Sequence, residues 1–174
     1  MTPEFSRPMP VDRVTAAGLE ETIEASGEER DALARRFDVP AIHALTAQFT
    51  AMPWRRGGIE VRGHIEAEVE QVSVVSLEPF STLVRDDVVR YFQADNAPGH
   101  RPTVLSVESL EDEEPEVISG GSIDLGEIAA ESLALALDPY PRKPGEVFSF
   151  DAAEEPEQEG RDNPFGVLSR LKQR

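Results

Sequence analysis

The chain has no cysteine, which removes disulfides, thiolate metal sites and cysteine nucleophiles together. Bases are scarce: 17 lysines and arginines stand against 34 aspartates and glutamates, a formal net charge of −17 over 174 residues. Such a surface repels polyanions, which argues against a broad nucleic-acid-coating surface and makes basic proteins the easier partners. Acidity is also the ordinary condition of many cytosolic proteins and by itself names no function. Aromatic residues make up 6% and apolar residues 39%, modest proportions that still allow a core at this length. No apolar run reaches the roughly 18 residues of a membrane-spanning helix. The opening MTPEFSRPMPVDRV holds charges and prolines where a signal peptide needs an apolar core, so a cytoplasmic location is expected.

Catalytic motifs are missing as well. His43, His64 and His100 are far apart in sequence, and none belongs to an H-E-x-x-H pair. There is no G-x-S-x-G elbow, P-loop or G-x-G-x-x-G, and Gly57-Gly58 and Gly120-Gly121 read as turns. Carboxylates are plentiful, but nothing singles out one pair for acid–base work. Glu78 stands apart because Pro79 fixes its backbone in an extended form after a run of buried type. A partly buried Glu78 needs a partner, and a corner salt bridge is expected there. No enzyme activity, metal or cofactor is therefore expected, with an unrecognised carboxylate-pair enzyme as the remaining rival.

What is present reads as strands, a helix, more strands and helices without βαβ alternation. Phe5-Ser6-Arg7-Pro8 suits a short extended edge. Ser26-Gly27-Glu28-Glu29 has the form of a capping box, and Leu33 and Phe37 give the next helix an apolar stripe that Pro40 closes. Residues 41–54 predict a strand ended by Pro53, then a hairpin turn at Arg55-Arg56-Gly57-Gly58. Ile59, Val61, Ile65, Ala67 and Val69 share one parity; Glu60, Arg62, His64, Glu66, Glu68 and Glu70 share the other, the pattern of a half-buried strand. After Glu70, Val72 and Val74 fall on the polar parity, which predicts either a bulge or burial of both faces, with Gly63 a second candidate bend. Residues 80–92 alternate again, Asn96-Ala97-Pro98-Gly99 is a turn, 103–107 a short strand and 108–116 an acidic loop. Asp124 caps a helix whose face is Leu125, Ile128, Ala129, Leu133, Ala136 and Leu137, stopped by Pro139 and Pro141, and 147–150 is a last strand.

The expected fold is α+β, with a mainly antiparallel, strongly curved or barrel-like sheet and two or three helices. Residues 1–150 form one domain, 151–162 an acidic flexible linker and 163–174 a short amphipathic helix. In that tail Phe165, Leu168 and Leu171 recur every third residue beside Arg170. A helix of about twelve residues is marginal alone, so it either folds back on its own domain or orders on a partner. Trp54-Arg55-Arg56 offers one aromatic and two cations at a turn, either an ordinary hairpin tip or a contact for an RNA base and phosphate.

Taken in order, several of these pieces resemble the YceD family, the large ribosomal RNA subunit accumulation proteins of bacteria, and most closely its alphaproteobacterial branch. They are Phe5-Ser6-Arg7-Pro8, Glu29-Arg30 with Leu33-Ala34 and Arg36, Gly63-His64-Ile65, QVSVVSLEPF, IDLGEIAAESLALALDPYPR, and Asn163-Pro164-Phe165 with Val167-Leu168. The resemblance marks Arg7, Leu77, Glu78, Pro79, Asp124 and Glu131 as structural motif residues. Many relatives carry C-x-x-C before the corner, where this chain has Ser73 and Ser76. Hydroxyls do not replace thiolates on zinc, so here packing is expected to hold that corner. The resemblance implies a cytoplasmic, non-enzymatic role in synthesis, processing or stability of large-subunit (23S) ribosomal RNA. Joined to the charge, it points to a basic ribosomal protein or assembly factor as partner, with ribosomal RNA as the rival and no membrane or small-molecule ligand.

Overall fold

Ser26 opens the first helix by the reciprocal arrangement its spacing predicts: its side chain accepts from the Glu29 N–H while the Glu29 carboxylate accepts from the Ser26 N–H. This is seen in a computed structural model that describes residues 3–94, 115–118 and 120–147. The chain divides into two units, Met1–Pro144 and Gly145–Arg174, and all the elements below belong to the first. In order they are β1 (Pro8–Pro10), β2 (Leu19–Glu24), α1 (Gly27–Phe37), β3 (Ala41–Trp54), β4 (Gly58–Val72), β5 (Pro79–Ala94), β6 (Glu116–Ile118), β7 (Ser122–Asp124) and α2 (Leu125–Ala136).

The class is α+β. Five strands form one sheet in the order β2-β3-β4-β5-β6, and β1 pairs with β7 in a small second sheet. All pairings are antiparallel except β5 with β6. Among the described residues the five-stranded sheet has β2 and β6 at its edges and does not close into a barrel. Two helices are present among the described residues, α1 packed on β3 and α2 on β4 and β5. Between them and the sheet lies the core: Leu33 from α1, Leu45, Ala47 and Phe49 from β3, Val61, Ile65, Ala67 and Val69 from β4, and Leu125, Ala129 and Leu133 from α2.

Several local expectations are corrected. β3 has the expected bounds, 41–54, but Pro53 is its penultimate residue, still paired with Ile59 of β4 and beyond the point where β2 stops at Leu19 opposite Ala51, so no neighbour on that side needs its N–H. β2 itself has no strong sequence signature, since three of its six residues are glutamates. β4 neither bulges nor changes face after Glu70. Gln71 and Ser73 are 6% and 0% exposed, while Val72 and Val74 are 42% and 45% exposed. Backbone parity overrode side-chain preference. The bulge of this hairpin sits in β3, between Ile42 and Ala44. Gly63 is no bend either, because the Phe49 ring lies across it and an added Cβ would come within 2.3 Å of Cε1. The turn at 96–99, the strand at 103–107, residues 108–114 of the acidic loop and 148–150 of the last strand lie outside the described residues, as does the tail; Val147 is in no strand.

Candidate functional site

Asp124, the N-cap of α2, does two jobs. Its Oδ1 accepts from the N–H groups of Gly126 and Glu127, and also from the Arg7 N–H at 2.7 Å, while Ser6 Oγ donates to its Oδ2. The Leu125 N–H donates back to the Arg7 carbonyl at 3.0 Å. Gly126 permits this approach, for any Cβ there would meet the Phe5 carbonyl oxygen at 2.6 Å. Arg7 then grips α1: Nη1 and Nη2 bind the two Glu29 oxygens at 2.7 and 2.9 Å, and further bonds run to the Ser6 and Glu24 carbonyls. The Arg7 hydrogen bond, helped by the Ser26 N–H, holds the Glu29 carboxyl down at about 2, and Glu29 in turn raises the Arg7 guanidinium. Arg7, Glu29 and Asp124 thus tie the N-terminus to both helix starts. Arg36 bridges Glu4 and Glu127, and Arg90 bridges Glu116 and Glu131, so Glu131 fastens α2 to β5.

QVSVVSLEPF runs from the end of β4 through a turn into β5. Buried Ser73 organises this turn. Its Oγ accepts from the N–H groups of Val75 and Ser76, its N–H donates to the Glu78 carbonyl, and its carbonyl accepts from the Leu77 N–H. Leu77 adopts a left-handed φ of 58° and is 77% exposed. Glu78 is also exposed rather than partly buried, and its carboxylate pairs with Lys143. Hydrogen bonds centred on one serine, through its hydroxyl and its backbone, therefore join packing in holding this corner.

The sheet face turned away from the helices is wet. Across it run rows of opposed residues: Met52, Glu60, Tyr91; Glu20, Thr50, Arg62, Val89; Thr22, Gln48, His64, Asp87; Glu24, Thr46, Glu66, Arg85; and Ala44, Glu68, Leu83. With Glu70 this gives seven acids against two arginines. His64 meets Asp87 at 2.7 Å, Arg85 meets Glu66 at 2.7 Å, and Arg62 pairs with Glu60 along its own strand. At one end Trp54 packs its ring 4.7 Å from that of Tyr91, with Arg55 at 6.0 Å above the indole. The backbone of Arg56 continues the turn after Arg55.

At the opposite end of β4 a groove of about 530 Å³ opens between the C-terminal ends of α1 and α2. Phe37, Val39 and Pro40 form one wall, Gln71, Val72 and Val74 another, and Leu137, Pro139 and Pro141 a third, with Asp38 and Asp138 among them. Gln71 Nε2 donates to the Asp138 carbonyl at 3.2 Å and the Val74 N–H to the Pro141 carbonyl at 2.9 Å, which fixes the third wall to β4.

Arg7 and Asp124 are thus brought together, Glu131 joins a separate ion-pair cluster, and Leu77, Glu78 and Pro79 shape the β4–β5 turn. Trp54 and Arg55 stand at the far end of the sheet. Phe165, Leu168, Arg170 and Leu171 lie outside the described residues. The groove has no sequence signature, because its walls come from three separate segments; exposed Val72 and Val74 on the polar parity are its one local sign. No group of three or more acids and histidines suited to a metal occurs among the described residues, and no helix among them is long and apolar enough to cross a membrane.

No curated protein and no solved structure matches the chain. A family profile described as large ribosomal RNA subunit accumulation protein YceD matches residues 61–172, from the fourth residue of β4 to Lys172. The match takes in all but the first three residues of β4, the Ser73 turn, β5 and the capped helix α2 with its Arg90–Glu131 bridge. The chain belongs to the YceD family.

Proposed function

We propose that this protein promotes the synthesis, processing or stability of large-subunit ribosomal RNA from the cytoplasm, by binding a basic ribosomal protein or assembly factor and without making or breaking a bond. Family membership supplies the process, and the charge of the wet sheet face carries the choice of partner. Seven acids against two arginines on one solvent-facing surface would repel phosphates and draw in lysines and arginines. Electrostatics of this kind set on-rate and salt sensitivity more than raw affinity.

A pull-down of the full chain beside a truncation at Gly160, with and without nuclease, tests this reading. Ribosomal proteins retained after nuclease support it; RNA retained without protein reverses it. Direct RNA binding is the second reading, favoured by the Trp54–Tyr91 ring pair with Arg55 beside it. Arg55→Glu with Arg56→Glu abolishes RNA retention if that reading holds, and unchanged retention disposes of it. A carboxylate enzyme has the weakest support, since Asp138 in the groove is engaged by the Tyr140 N–H at 2.8 Å.

A further inference from the structure

A protein partner needs a seat, and the groove between the helix ends has the features of one. Its lining is mostly apolar, and Val72 and Val74 leave branched side chains in water at its edge, 42% and 45% exposed. Its walls are fixed by the two hydrogen bonds to the 138–141 segment. Its electrostatics have one sign. Both α1 and α2 direct their C-terminal ends, the negative ends of their dipoles, toward it. The last turn of α2 carries no base, and in the last turn of α1 Arg36 is engaged by Glu4 and Glu127; Arg35 and Arg142, the latter following Pro141 in the chain, are bases outside the lining. Among the described residues, Asp38 and Asp138 line the groove and no lysine or arginine does.

We propose that this groove docks a cationic protein segment, with an apolar side chain seated between Val72, Val74 and Leu137 and flanking lysines or arginines set against Asp38, Asp138 and the helix ends. The inference rests on the protein-partner reading and gives it a surface. Apolar contact anchors the segment, while the negative rim selects its charge and discriminates against nucleic acid. The groove is separate from the wet sheet face, so the two acidic surfaces make different predictions.

The test is an amide-shift titration of the full ¹⁵N-labelled chain with three synthetic peptides of equal length. One combines Lys and Arg with Leu and Phe, the second replaces Leu and Phe by Ser, and the third replaces Lys and Arg by Glu. The first peptide should shift the amides of Val39, Val72, Val74 and Leu137, and each of the others should bind at least about tenfold more weakly, a difference of about 1.4 kcal/mol. Val74→Lys, at a position already open to water, should weaken the first peptide by a similar factor while leaving amides remote from the groove unchanged. Equal binding of the Glu peptide, shifts confined to the wet sheet face, or no shift at all would overturn the proposal. The nuclease-treated pull-down separates the two levels. Val74→Lys retaining ribosomal proteins undiminished removes the groove but leaves the partner reading standing. A wild-type chain that retains none removes that reading, and the peptide titration alone then decides the groove.

Discussion

The two faces of β4 are built from the same strand, residue by residue in alternation, yet they do different work. Val61, Gly63, Ile65, Ala67 and Val69 face the helices and are buried; Arg62, His64, Glu66 and Glu68 face water or its edge. Burial of each large apolar side chain is worth roughly 1.5–3 kcal/mol, whereas an exposed ion pair is worth about 0–1 kcal/mol. Stability is therefore concentrated on the inner face. The outer face is left free to vary in charge, which is the property a recognition surface needs.

Mutations on the two faces should separate accordingly. Leu45→Ala, at a fully buried position of β3, is expected to cost about 3–4 kcal/mol in chemical denaturation; a cost near zero would mean the helices do not pack as described. Gly63→Ala should cost about 2 kcal/mol by forcing Phe49 off its position. Combining it with Phe49→Leu should cost less than the sum of the two single changes, and strict additivity would remove that contact as the cause. Ser73→Ala leaves the N–H groups of Val75 and Ser76 without their acceptor and should lose about 1–2 kcal/mol.

The Arg7–Glu29 bridge comes next, held to about 1 kcal/mol because water reaches both partners. Its signature is in the pH dependence. Glu29 falls from an ordinary 4.5 to about 2 in the folded chain, so its stabilisation is fully present above pH 4.5 and disappears as pH drops to about 2. Glu29→Gln should therefore be less stable than wild type near neutrality, and the gap should close in acid. A gap that persists unchanged at the acid end would show that the carboxylate charge is not responsible. Smallest of all, Glu68→Gln on the wet face should shift stability by no more than about 0.5 kcal/mol. A larger loss would mean that this face carries structural weight.

Periodic features were legible from composition and order. Ser26 and Glu29 mark the start of α1, Asp124 marks that of α2, and the alternation from Ile59 to Glu70 gives β4 its inner and outer faces, because each depends only on near neighbours. The valines after Glu70 misled for an equally physical reason. Val72 and Val74 suggest a core, but Val72 holds an outward site of β4 and Val74 stands in the turn beyond it, so both are exposed, while Gln71 and Ser73 are buried. Glu78 misled similarly, for extended backbone at a proline does not say whether the side chain is covered. The partnership of Arg7 with Glu29 and Asp124 could not be read at all, since the three lie on segments that meet only after the sheet and helices assemble.

Sequence alone determined the acidic surface, the lack of thiol chemistry, the helix starts and the two-faced strand, since composition, caps and period-two alternation are local. Tertiary structure alone decided the order of the described strands, that one arginine joins three segments, and that two helices end around one mostly apolar groove. Those outcomes depend on which distant residues become neighbours, and long-range pairing leaves no spacing in the chain from which to read it.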